Sequence, residues 1–122
     1  MRAGLGFSKY LNPKECWKLW HSLGGLSRVR EHFLKKGVVN PKTGNPPTIA
    51  GIEKAAFAWA LENKEEARKD LAYSWQQEGH VLDDEKWDDF LYRTAKLVFY
   101  QRHKKFSRYI EANGLQRFLE VK

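Results

Sequence analysis

The chain of 122 residues has little sulfur: one cysteine, Cys16, and one methionine. A lone cysteine excludes an intrachain disulfide and fits a reducing compartment. Long hydrophobic runs are also missing, and none approaches the ~20 apolar residues of a membrane span. The opening segment MRAGLGFSKYLNPKE lacks the apolar centre of a secretory signal. A soluble, intracellular, cytoplasmic protein with no membrane partner is therefore expected. Period-2 alternation is absent, and Val38-Val39 has no obvious strand to pair with. No internal repeat, low-complexity tract or Gly/Ser-rich linker breaks the chain. Proline is scarce and unevenly spread: three of the four stand in the stretch GVVNPKTGNPPT, Gly37 to Thr48.

Catalytic and metal chemistry find little to work with. The four histidines (21, 32, 80, 103) form no His-x-x-x-His pair and have no nearby cysteine. Cys16 lies among tryptophans on a helix, where an inert buried thiol is the default. Gly4-Leu5-Gly6 is too short to argue a phosphate loop, and His80 near Asp83 fits a loop histidine beside a helix cap. The acidic run Asp83–Asp89 precedes a basic one, an order that complements a helix dipole without any metal. A non-enzyme without cofactor or metal is the expectation.

What the sequence does contain is aromatics and positive charge. Five Trp, seven Phe and five Tyr suffice for a core, and the formal net charge is +7. Residues 1–62 hold ten Lys/Arg against four Asp/Glu, whereas residues 63–122 hold twelve against eleven. The excess thus sits in the half with the proline-rich stretch, and it points to a polyanion, most often nucleic acid.

Helical periodicity organises the rest into an all-α fold, a compact bundle of five to six helices in a single domain. Asn12-Pro13 starts a first helix over about 13–23, ended by Gly24-Gly25. Ser27 is expected to cap a second, with Leu26, Val29, Phe33 and Leu34 on one face and Gly37 ending it. Thr48 caps a third, to about Glu62, with Ile49, Ile52, Ala56 and Trp59 inward and a strip of small or basic residues, Ala50, Gly51, Lys54 and Ala58, beside them. Asn63 with Glu66 resembles a capping box for a fourth, which buries Ala67, Leu71 and Trp75. Asp83 or Asp84 starts a fifth, with Trp87, Phe90, Leu91, Thr94, Leu97 and Val98 inward. A sixth begins near His103 and ends at Asn113-Gly114, and Leu115, Phe118 and Leu119 pack a last turn. Any seam is expected near Asn63 or Gly79, dividing a basic half, 1–62, from a packing or dimerising half, 63–122.

The connection between the second and third helices reads as stiff. Asn40-Pro41-Lys42-Thr43-Gly44 has tight-turn chemistry, and Asn45-Pro46-Pro47 runs extended into the Thr48 cap. A short basic helix, a stiff turn and a helix with small residues at its start together resemble the helix-turn-helix class, particularly small DNA-binding proteins of phages and mobile elements, over about residues 13–62. The connection here is about eleven residues, against three or four in that class. The resemblance implies duplex DNA as partner, contacted by Arg28, Arg30, Lys42, Thr43, Thr48, Gly51 and Lys54. A plain helical hairpin, with the Ala/Gly strip packed against another helix, is the competing reading.

The run YQRHKKFSRY (100–109) adds a second expected nucleic-acid patch at Arg102, Lys104, Lys105 and Arg108. Tyr73, Tyr92, Phe99 and Tyr100 lie off the buried stripes and are expected to serve a homodimer or protein interface. Two alternatives stay open: an adaptor or inhibitor whose basic face meets an acidic protein, and a single-strand or RNA binder working through 100–109.

Overall fold

The computed structural model describes residues 10–99 and 102–120. Gly4-Leu5-Gly6 and Tyr100 fall outside them. Six α-helices follow in chain order: α1 Pro13–Leu23, α2 Leu26–Lys35, α3 Ile49–Glu62, α4 Lys64–Gln77, α5 Asp84–Val98 and α6 His103–Ala112, then a 3-10 turn, Gln116–Glu120. No strand occurs among the described residues. The chain divides into two units, Met1–Asp70 and Leu71–Lys122. The division falls inside α4, not at Asn63 or Gly79.

In the first unit, the helix ends follow local chemistry. Asn12 Oδ1 accepts the Glu15 N–H at 3.1 Å, and Pro13 stands at the first helical position. Ser27 does not cap α2. That helix already starts at Leu26, with Gly25 at its cap position and no side-chain cap bond. Asn63 also turns backward: its Nδ2 donates to the Trp59 carbonyl at 2.9 Å and closes α3. Both differences come from neighbours: the tight Gly24-Gly25 corner starts α2 one residue early, and the Asn63 side chain joins its own N–H on the Trp59 carbonyl.

α3 is the helix around which this unit is built. Ile52, Ala55, Ala56, Ala58, Ala60 and Leu61 are all buried, and they point in every direction around the helix axis. Four alanines leave room for the bulky partners on α1, and the α1–α3 contact dominates the unit. Trp17 of α1 is fully buried, 6.3 Å from the Trp59 ring, and Trp20 lies 5.1 Å from Phe57. The expected inward face is correct at Ile52 and Ala56 but fails at Ile49, which is 43 % exposed at the helix start. Leu34 is likewise exposed, while Val29 and Phe33 of α2 are buried.

A polar cluster ties α1 to the first half of α4. The Trp17 indole N–H donates to Asp70 Oδ2 at 3.0 Å, and Lys18 Nζ reaches the same oxygen at 2.8 Å and Glu66 at 2.7 Å. The hydrogen bonds to Asp70, and then to Glu66, hold the Lys18 ammonium above its ordinary range, and Lys18 in turn lowers Glu66. Cys16 is buried beside this cluster, and loss of hydration pushes its thiol up to about 12.

In the second unit, Asp83 is the cap of α5, its Oδ1 accepting Lys86 N–H at 2.8 Å. Trp87, Leu91, Thr94, Ala95, Val98 and Phe99 are buried from the α5 side, with Ile110 and Leu115 from the chain beyond it. Leu97, expected inside, is exposed, and Ala95 takes the core position instead. Gly79 at φ +84° and Gly114 at φ +66° end α4 and α6, each followed by an N–H that bonds back to the carbonyl five residues earlier. The 3-10 turn is anchored by Arg117 to Asp88 at 2.8 Å and by Phe118 stacked on Tyr92 at 5.1 Å. Leu119 stays exposed.

Two measurements check this architecture. Ala58→Leu should overpack the α3 core and cost about 1–3 kcal/mol of stability by urea denaturation. His21 is held below its ordinary value of 6.5, chiefly by burial; the Asp70 carboxylate opposes that shift and Lys18 adds to it. It therefore binds its proton less readily folded than unfolded. Its contribution is complete above about pH 6.5 and is lost as pH falls below that value. The stability difference between pH 7 and pH 5 should accordingly shrink in His21→Gln; an unchanged difference would refute the assignment.

Candidate nucleic-acid interface

The connection from α2 to α3 is an ordered turn, not slack chain. Gly37, at φ +73°, closes α2: its N–H bonds to Leu34 O and the Val38 N–H to Phe33 O. Asn40 is then the hub of a closed loop. Its carbonyl accepts from Thr43 N–H at 3.2 Å and Gly44 N–H at 2.7 Å, and its own N–H donates to Asn45 O at 2.8 Å. Asn40 Oδ1 accepts Lys42 N–H at 2.9 Å, and Thr43 Oγ1 accepts Asn45 N–H at 3.2 Å. Gly44 takes φ +74°, the left-handed position this turn requires. At the far end Pro47 is buried, and its carbonyl accepts Arg30 Nε at 2.9 Å.

The turn leaves Pro41, Lys42, Thr43, Gly44 and Asn45 exposed, and Thr48, Ile49 and Ala50 after it. Thr48 Oγ1 accepts Gly51 N–H at 3.0 Å and caps α3. A Cβ added at Gly51 would come within 3.2 Å of that hydroxyl, so this glycine leaves room for the cap. Lys54 is half-buried and makes no ion pair among the described residues. The small-residue strip is thus split: Ala50 is exposed, Gly51 and Lys54 are half-buried, and Ala58 is buried. Both sequence readings of the strip describe part of it. Its start faces solvent, and its end is core. A helix lying along a groove over all of 48–62 fits poorly, because Ala55, Ala56, Ala58, Ala60 and Leu61 are buried.

Arg28 and Arg30, expected as contact residues, both bond to backbone carbonyls, Arg28 from an exposed position and Arg30 from a half-buried one. Arg28 Nη1 donates to Leu23 O at the end of α1, at 3.4 Å, and Arg30 holds the loop exit. Lys35 and Lys36, in the last turn of α2 and just after it, are exposed immediately before the turn. Two adjacent lysines beside a stiff loop are the sequence signal for this placement.

In the second unit, His103, Lys104, Lys105 and Arg108 are exposed and Arg102 is half-buried at the α6 start. Phe106 and Ile110 turn inward, as does Tyr109, whose phenol is raised above its ordinary range by burial. The expected interface aromatics differ in exposure. Phe99 is buried 5.8 Å from Tyr109, and Tyr92 is occupied by Phe106 and Phe118; Tyr73 alone of the three described ones is exposed, at 64 %. The acidic run is used locally, in the Asp83 cap, the Asp88–Arg117 pair and the Asp89–Arg93 pair at 2.9 Å. Among the described residues no group of three His, Cys, Asp or Glu is placed to hold a metal, and no helix is long and apolar enough to cross a membrane.

No protein-family model, curated protein or solved structure matches this chain.

Arg30→Met should remove the Pro47 anchor and cost about 1–2 kcal/mol, with faster hydrogen exchange at the amides of 43–45. Arg28→Met, on an exposed bond, should stay within about 0.5 kcal/mol of the parent.

Proposed function

We propose that this is a non-enzymatic nucleic-acid-binding protein that grips duplex DNA with the 37–47 turn and the first turn of α3. The observation that carries the reading is the Asn40-centred turn. It is hydrogen-bonded internally, fixed at Pro47 by Arg30, and holds Lys42 and Thr43 out in solvent on the way into an exposed, capped helix start. Preorganised cations lose little entropy on meeting phosphate, so a stiff loop binds better than a slack one. Lys35, Lys36 and Lys42 form phosphate contacts, while Thr48 and Ala50 approach the groove. Lys54, half-buried on the same helix, reaches the phosphate edge through its long stem. The contact is an end-on docking of α3, since the remainder of that helix is core. A small regulator, or an accessory protein of a phage or mobile element, is the setting such a binder fits.

Binding to a mixed-sequence duplex, titrated against salt, tests this. Each phosphate contact contributes about 0.9 to the slope of log K against log salt. The double variant Lys42→Ala/Lys54→Ala should therefore flatten the slope by about 1.8 and weaken binding at low salt, with the unfolding midpoint unchanged. Duplex affinity and slope equal to the parent's would refute the assignment of this surface.

A further inference from the structure

The second unit holds a notch that the duplex reading does not use. It opens beside the end of α5 and the start of α6, has a volume of about 160 Å³, and is lined by Lys96, Phe99, His103 and Phe106. Phe99 is buried and Phe106 half-buried, so hydrocarbon forms the floor, whereas Lys96 and His103 are exposed at the rim. A space this size is well below the ~300 Å³ at which drug-sized sites begin. It admits one planar ring. The surroundings carry one sign of charge: residues 93–108 contain six Lys/Arg and no Asp or Glu. Of these, Lys96, Lys104, Lys105 and Arg108 are exposed and make no ion pair among the described residues. Flat hydrocarbon beneath, with Lys96 and His103 at the rim and further exposed cations along α6, matches a ligand that joins an aromatic ring to phosphate. An acidic peptide would satisfy the cations but offer no ring to the floor.

We propose that the notch holds one unpaired base of a single-stranded nucleic acid, stacked on Phe106, with a flanking phosphate at Lys96 and the strand continuing toward the exposed cations of α6. The site is independent of the 37–47 turn, so either assignment can fail alone.

The full-length protein is titrated at matched salt into fluorescent oligo(dT) and oligo(U) of about twelve nucleotides, a length within the usual single-strand site sizes, and into a blunt duplex. Phe106→Leu keeps apolar volume while removing the aromatic face. It should weaken binding of the better single strand about tenfold and leave duplex affinity unchanged. Lys96→Gln, on an exposed side chain, should weaken single-strand binding about threefold, as expected for losing one screened charge contact, and it decides the question if Phe106→Leu lowers the unfolding midpoint. In parallel, adenosine monophosphate should shift the amide resonances of residues 96, 103 and 106, and inorganic phosphate alone should not. Unchanged single-strand affinity in Lys96→Gln and in a stably folded Phe106→Leu would overturn the proposal. So would equal shifts from inorganic phosphate, or displacement of the single strand by an Asp/Glu-rich peptide at matched charge concentration.

Discussion

The burial of Trp17 between α1 and α3 is the constraint on which the first unit depends. An indole needs room, and the small side chains of Ala55, Ala56, Ala58 and Ala60 let neighbouring segments approach α3 closely. An indole also carries one N–H that must be satisfied on burial, and Asp70 supplies the acceptor. That carboxylate would itself be costly to enclose, and Lys18 offsets the cost from the solvent side. Core packing and a small polar cluster are therefore one device: α1, α3 and the start of α4 are set by a single side chain and what it requires.

This constraint also decides what remains for binding. With buried residues around so much of α3, its start, Ile49 and Ala50, is the most exposed part of the helix. The length of the α2–α3 connection follows from that geometry. A three-residue turn would drive the chain straight from one core helix into the next. Thirteen residues, 36–48, turned around Asn40 and stapled by Arg30 to Pro47, instead extend a rigid projection beyond the core. The basic residues divide accordingly. Arg28 and Arg30 use their planar donors on backbone carbonyls within the fold, while the lysines stay in solvent, where a flexible point charge suits phosphate.

The second unit works by a different balance. Its acidic residues at the α5 start are consumed by caps and local pairs, so its near-neutral total conceals an unbalanced run at 93–108. Aromatic rings there are shared between core and surface: Phe99 and Tyr109 pack inward, and Phe106 is left half-exposed at the edge. A patch that combines ring and cation is thus a by-product of packing α6 against α5.

Local physics made much of this readable from sequence alone. The all-α class, the caps at Asn12, Thr48 and Asp83, the glycine stops and the tight turn at 40–44 each depend on a few adjacent residues, and the chain order determines them. Leu34, Ile49, Leu97 and Phe99 were misplaced because burial is settled by what lies across the core, which periodicity along one helix does not report. The roles of Arg30 and Asp70 were invisible for the same reason: their partners, Pro47 and Trp17, stand 17 and 53 residues away. Sequence by itself determined where helices begin, where they stop and where positive charge accumulates; only tertiary packing decided which cations face solvent, because a hydrogen bond between distant segments leaves no local pattern.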